Sequence, residues 1–496
     1  MTGTTRRGFV GAGAGLMALA AVPASARRAD TIRVQQTAGD KRFAALPALQ
    51  WAPDAGAGPQ AITLDPTTTF QDVLGFGAAF TEASAWLIGQ MAPAARAALM
   101  HELFSPDGLG INVTRCCIGS SDYATAMFSY DEGAPDPTLA RFSVDRDRAF
   151  VLPELVTARH INPELFILAS PWSPPGWMKN GGSMLGGNIK PIYFAAYAQY
   201  LVKFLQAYAQ AGVPINAITT QNETDTDQAG RMPASAWAQE YEVAFVGKHL
   251  GPTIEKAGLD TKIWLLDHNF NLWGRVFNTL EDPNVFKYAD GVAWHPYVGA
   301  AEAMTRIHNA YPTKGAYWTE GGFELAAGKG TNEFAATPGP MTEGAGTAEA
   351  MPKLDDAAAI AQSGLGATHA LRNWVRCLID WNVVLDETGH PNIGPFDLKG
   401  TLTIDSRSHA VTARGPNYWA IKHLNHAAPR GATVIESTGT IDGLAHVAFV
   451  DPDGRKSMML TNAGAERTVR IRNGGRMAEL ALPANSLTNL SWTRAS

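Results

Sequence analysis

With 496 residues, 46% of them hydrophobic and 17% charged, the chain can bury a large core and exceeds what one minimal domain needs. That composition excludes the disordered and fibrous classes. A formal charge of −6 lacks the basic face that general nucleic-acid binding requires.

The first element is a leader. Thr5-Arg6-Arg7-Gly8-Phe9-Val10 runs into a Gly/Ala-rich apolar stretch to Val22, then Pro23-Ala24-Ser25-Ala26. A charged start, a short apolar run and an Ala-x-Ala site make residues 1–26 a signal peptide. The paired arginines followed by Phe9 point to the twin-arginine route. As a membrane anchor the run is too short to span about 30 Å of hydrocarbon. No later stretch is long and apolar enough to cross a membrane, so an exported soluble protein, periplasmic or extracellular, is expected. Cys116, Cys117 and Cys377 are few for such a chain and read as buried small hydrophobes; a disulfide to Cys377 stays open.

Residues 27–72 form an N-terminal segment whose strands, at 31–36 and 61–64, are expected to join a sandwich with the other chain end. From 75 to 382, short apolar runs alternate with helical patterns, the signature of βα units. Eight strands are predicted, at 75–80, 111–116, 165–170, 215–221, 262–267, 291–294, 315–319 and 377–383. The clearest helix is 191–211, where Tyr193, Phe194, Tyr197, Leu201, Phe204 and Leu205 follow i, i+3, i+4 spacing. The fold class is α/β, a (β/α)8 TIM barrel over 73–418. The glycine-rich stretch 181–187 is a loop, and the Gly/Pro/Thr-rich 335–350 is expected at the rim of the mouth. From 419 to 496 the pattern changes to six short alternating strands separated by turns such as Asp451-Pro452-Asp453-Gly454. This is a β-sandwich pattern.

Two glutamates end predicted strands of the barrel. Glu223 closes Ile218-Thr-Thr-Gln-Asn222-Glu223 after the fourth strand, and Glu320 closes Ala316-Tyr-Trp-Thr-Glu320 after the seventh. The C-terminal strand ends are where a parallel barrel presents reactive groups. Two carboxylates held there can cleave a glycosidic bond with no metal or cofactor. Thirteen tryptophans and twelve tyrosines supply faces on which sugar rings stack, although many must be core. No metal-ligand pattern is present: there is no His-Glu-x-x-His and no Cys-x-x-Cys, and His423/His426 fall on a helix outside the mouth. No cofactor is expected. The expected partner is a carbohydrate or glycoside, not a nucleic acid.

Gly75-Phe76-Gly77-Ala78-Ala79-Phe80-Thr81-Glu82, Ser170-Pro171-Trp172-Ser173-Pro174-Pro175-Gly176-Trp177-Met178-Lys179, Gln221-Asn222-Glu223 and Thr319-Glu320-Gly321 occur in the order and spacing of one family. From about residue 60 to its end the chain resembles glycoside hydrolase family 30, the glucosylceramidases and β-1,6-glucanases. The resemblance implies a barrel fused to a sandwich and a retaining mechanism, with Glu223 as acid/base and Glu320 as nucleophile. It implies that Asn222 bonds the sugar 2-hydroxyl, that Trp172 and Trp381 are sugar platforms, and that Asp122 binds distal hydroxyls. It also implies that Arg115 supports the nucleophile, with His295 and Tyr297 beside it. For each there is a plainer alternative: a turn asparagine, core tryptophans, an Arg115–Asp122 salt bridge, a satisfied buried histidine. His268 is a weaker candidate, and Glu82, Asp225 and Glu324 read as rim or scaffold. One departure stands out. Thr224 follows the acid/base where many members have proline, which leaves the aglycone side open. The expected activity is a retaining β-glucosidase of glucosylceramidase type, with an endo-β-1,6-glucanase or β-xylosidase as runner-up. A catalytically silent carbohydrate-binding protein on the same fold is disfavoured, because a binder has no need of both glutamates and Asn222.

Overall fold

The computed structural model describes residues 31–54, 56, 60–327 and 356–493. The leader and the rim loop at 335–350 lie outside the described residues. All eight expected barrel strands form: Gly75–Ala78, Val113–Ile118, Phe166–Pro171, Ala217–Thr219, Lys262–Asn269, Ala289–His295, Gly315–Trp318 and Val375–Asp380. They pair in parallel in chain order, and the eighth returns to the first with Cys377 opposite Gly75. A bridge between Ala79 and Arg115 and a 2.7 Å bond from the Phe80 amide to the Arg115 carbonyl join the first strand to the second. That approach needs a residue without Cβ: one built on Gly77 would lie 1.9 Å from the Val113 carbonyl oxygen.

These strands were legible because both their faces are covered, so they read as apolar runs rather than alternation. Helices pack outside, among them Phe194–Gln210, entered through a single turn beginning at Pro191. Inside, Phe166, Trp264 and Tyr317 stack across the bottom of the barrel, with the Tyr317 hydroxyl bonded to Asp290 at 2.7 Å.

The second body is a ten-stranded sheet folded on its own core. Thr31–Ala38 lies between Lys41–Gln50 and Ser486–Trp492, while Ala61–Asp72 lies between Thr433–Thr438 and Arg467–Asn473. Both chain ends therefore contribute, as expected. Ile32, Val34, Ile62, Leu64, Met458, Ile471 and Leu490 fill the core at alternate positions. The strand Lys41–Gln50 was not anticipated: it carries Pro47 and no clean alternation, a sequence that only an edge-side strand tolerates. The expected change of domain at 418/419 falls inside the helix Pro416–Ala427. Removing residues 431–496 would strip Ala61–Asp72 of both its partners and Thr31–Ala38 of Ser486–Trp492, and an insoluble or molten product is expected. A soluble truncation that unfolds cooperatively would contradict this.

His423, on that helix, fastens the two bodies together. Its Nε2 accepts from the Thr37 hydroxyl at 2.9 Å, and its Nδ1 donates to Asn489 Oδ1 at 3.0 Å. Both nitrogens of a neutral ring are used, and burial holds the pKa down to about 3 from 6.5. Below pH 6.5 the unfolded chain takes up a proton that the folded chain refuses until about pH 3. Stability from this group is thus complete above 6.5 and is lost at up to about 1.4 kcal/mol per pH unit as the pH falls. Urea titrations of His423→Gln between pH 6.5 and 4 should show a shallower slope than the parent, and an equal slope would remove His423 from the account.

Cys116, Cys117 and Cys377 are free thiols, the first and last buried. Among the described residues no helix is long and apolar enough to cross a membrane.

Candidate active site

Glu223 and Glu320 meet at the C-terminal end of the barrel. The fourth strand is short, and after it the chain turns sharply: the Asn222 amide bonds the Pro171 carbonyl and the Glu223 amide bonds the Asp267 carbonyl, each at 2.8 Å. Glu223 sits at φ +52°, in the left-handed region that costs a non-glycine residue roughly 1 kcal/mol or more. The two amide bonds hold it there. After the seventh strand, Gly321 at φ +98° turns against Pro296, where a Cβ would come within 2.7 Å of the proline ring. Oxygens of the two carboxylates and a nitrogen of His295 all lie within 4.8 Å of one another.

Arg115 is fully buried and spends its guanidinium on this site. It bonds Glu320 Oε2 at 2.6 Å, Asn222 Oδ1 at 2.7 Å, Asp267 Oδ2 at 2.7 Å and Ser170 Oγ at 3.0 Å. The Tyr297 hydroxyl donates to Glu320 Oε1 at 3.0 Å. Glu223 has different neighbours. Gln228 Nε2 donates to its Oε2, His295 Nδ1 is 3.6 Å and His268 Nε2 3.7 Å from its Oε1. Asp267 is the hub beneath both. It accepts from Thr319 at 2.6 Å and Thr219 at 2.7 Å as well as from Arg115, and it lies 3.1 Å from His295 Nε2.

Electrostatics separate the groups. Burial pushes Glu223 up, while His268, His295 and Gln228 draw it below its ordinary value. Burial raises Glu320 above its ordinary value, with His295 and Arg115 pulling it down and Glu223 pushing it up. Burial works against the charge on His295, yet Glu320, Asp267 and Glu223 raise it to about 9. Burial opposes ionisation of Asp267 too, and Arg115 and His295 hold it well below the carboxylate range. His295 thus lies between the two acids, both of which favour its charged form.

Glu223, His295 and Glu320 form the one three-group donor cluster among the described residues that is close enough to hold a metal ion. The fit is poor. Arg115 already occupies Glu320 Oε2, and a protonated His295 would have to give up a proton to become a ligand.

Every other expected site residue lies at this mouth. Asp122 is buried with Oδ1 unbonded, and burial together with Glu320 and Glu223 pushes it well above its ordinary pKa. It forms no ion pair with Arg115, which is spent elsewhere. Trp172 and Trp381 stack on one another at 5.2 Å beside Arg115 and are only 2% and 4% exposed, so each offers an edge more than a face. Thr224 is buried, and its hydroxyl donates to the Leu266 carbonyl at 3.0 Å, a bond that proline could not make. Glu82 bonds Thr125 and Arg146, and Asp225 is exposed, as scaffold and rim groups.

Asp267 and Gln228 were missed. The strand Lys262–Asn269 carries the signal for the first, a titratable Asp267-His268 pair closing an apolar run. A β-bulge does the rest: Leu266 opposes Ala293 and His268 opposes Trp294, so Asp267, at φ +52°, is the extra residue turned inward.

A model of the glycosyl hydrolase family 30 TIM-barrel domain matches residues 73–427, and one of the family's beta sandwich domain matches 431–490. An endo-1,6-beta-D-glucanase of Neurospora crassa is 30% identical over 83% of this chain and 81% of its own. Putative glucosylceramidase 3 of Caenorhabditis elegans is 30% identical over 87% of this chain and 82% of its own. The solved structure of the endo-beta1,6-glucanase BT3312 superposes with a TM-score of 0.81 at 28% identity, covering 94% of this chain and 99% of that one.

Proposed function

The chain belongs to glycosyl hydrolase family 30 through both its barrel and its sandwich, and from that premise we propose a retaining β-glucanase that cuts 1,6-linked glucan. Glu320 attacks the anomeric carbon while Glu223 protonates the departing oxygen. Glu223 then takes a proton from the water that releases the sugar from Glu320. The observation that carries this reading is the close approach of the two acids: an oxygen of each lies within 4.8 Å of an oxygen of the other, which suits direct attack on the sugar by one of them. The unequal neighbours support the division of roles. Glu320 is gripped by Arg115 and Tyr297, which suits a group that must ionise and stay aimed. Asn222 has its Oδ1 taken by Arg115, so its amide NH2 is left for a sugar hydroxyl, and Asp122 Oδ1, which has no partner, suits a second.

The linkage rests on the named relatives, two of which act on 1,6-linked β-glucan, and replaces the glucosidase expected from sequence. Export rests on the leader pattern of residues 5–26. Pustulan, a β-1,6-glucan, should be degraded, and NMR during the first minutes should show the β-anomer of the new reducing end. A first-formed α-anomer would overturn retention, and untouched pustulan would overturn the linkage. A second reading, a glucosylceramidase-type β-glucosidase, is favoured by the similarity to the nematode protein. It predicts turnover of glucosylceramide with pustulan left intact.

A further inference from the structure

The two glutamates are not held alike. Glu320 has Arg115 on one oxygen and the Tyr297 hydroxyl on the other. The carboxyl of Glu223 is bonded by Gln228, whose Nε2 donates to Oε2, while the histidines beside Oε1 stand 3.6 and 3.7 Å away, beyond hydrogen-bond reach. Gln228 is buried, and the backbone that presents it is strained. Gln228, Ala229 and Gly230 follow one another at φ +52°, +51° and +68°. For the two residues with a Cβ this region costs roughly 1 kcal/mol or more each, and it persists only where the surroundings enforce it.

The loop after the third strand does the enforcing. Asp227 Oδ1 accepts the Ala229 amide at 3.0 Å, and its Oδ2 accepts the Gly187 amide from that loop at 3.1 Å. The Gln228 amide bonds Thr226 Oγ1 at 3.0 Å. The two loops approach so closely that a Cβ on Gly186 would lie 2.9 Å from Gly230 Cα. Buried Lys179 joins them again. Its Nζ donates to Ser173 Oγ at 2.9 Å, to the Met184 carbonyl at 2.8 Å and, across the gap, to the Ala234 carbonyl at 2.5 Å.

We propose that Gln228 is the positioning residue of the acid/base: its side-chain amide fixes the carboxyl of Glu223 toward the leaving-group oxygen, and the strained, doubly anchored loop fixes the amide. The proposal rests on the acid/base reading of Glu223. A glutamate has three free side-chain torsions, and a misplacement of about 1 Å at a reacting group costs on the order of 100-fold in rate. A primary amide suits the task better than a charged group. Its NH2 donates to the carboxylate, and turned by half it offers Oε1 to the carboxylic acid. One side chain thus holds Glu223 in both of the states that a turnover visits. Gln228 exchanges no proton and acts through Glu223 alone.

The test is Gln228→Asn. Asparagine accepts left-handed backbone more readily than glutamine, so the loop keeps its shape, but its amide falls one methylene short of Glu223. With 2,4-dinitrophenyl β-glucoside, whose phenolate departs unaided, kcat/KM should stay within about threefold of the parent, and with phenyl β-glucoside it should fall by about 10- to 100-fold. Gln228→Gly, which relieves the strain at that residue, should show the same split. Equal losses on both substrates would make Gln228 merely structural, and unchanged values on both would remove it from the site. A double-mutant cycle gives a second readout. In a Glu223→Ala background, Gln228→Asn should cost less than about twofold more with the phenyl glucoside, because its target is gone. A loss as large as in the parent would overturn the proposal. If Glu223→Ala itself shows no difference between leaving groups, the acid/base reading fails; if it does and Gln228→Asn does not, the positioning role alone fails.

Discussion

Glu320→Gln should lower kcat by roughly 10⁵-fold or more on every substrate, the scale seen when a covalent nucleophile is removed. The amide has nearly the shape of the carboxylate but neither its charge nor its nucleophilicity. No ester to the sugar can form, so good and poor leaving groups suffer alike. Arg115 keeps Asp267, so its charge stays partly balanced and the fold should survive with a loss of about 1–3 kcal/mol. Intact-protein mass spectrometry after treatment with a 2-fluoro-β-glucoside should show one added sugar on the parent and none on the variant. A variant that still gains the sugar, or retains a tenth of parental activity, would remove Glu320 from the role of nucleophile.

Glu223→Ala should behave differently. With a dinitrophenyl glucoside the first step needs no proton, so the glycosyl-enzyme should accumulate and only its release should slow. With an alkyl or glucan leaving group the loss should reach about 10²–10⁴-fold. Removing the side chain leaves room beside Glu320, and azide entering there should speed turnover and yield the β-glycosyl azide. An equal loss for both classes of leaving group, or an α-azide, would count against Glu223 as the acid/base.

Much of this site was legible because a parallel barrel puts chemistry at a fixed place on each strand. An apolar run followed at once by Asn222-Glu223, or by Thr319-Glu320, marks a strand end that faces the mouth whatever the strand's precise length. Partnership was less legible. Arg115 reaches residues 107, 152 and 205 positions away, and nothing local in the sequence tells which of several acids it will bind. An Arg115–Asp122 salt bridge was the plainer alternative for these two, yet Arg115 points across the barrel and Asp122 Oδ1 is left without a partner. Asp267 was overlooked because its inward turn depends on left-handed backbone at Leu266 and Asp267, a conformation that a leucine closing an apolar run does not ask for. The tryptophans were placed correctly at the third and eighth strand ends, but how far they would cover one another depends on rotamers, which no motif records.

The pairing of Thr31–Ala38 with Ser486–Trp492 also sets the order in which the molecule can be made. A ribosome delivers Ile32 and Val34 long before their partner Leu490. The barrel has the same property, since its first strand must wait for its eighth at Val375–Asp380. For most of translation both bodies lack a closing strand, and apolar residues that end up buried remain available to chaperones or to other chains. Closure of both bodies thus waits on strands made long after their partners, and the hazard for expression lies in the chain before those strands arrive more than in the finished protein.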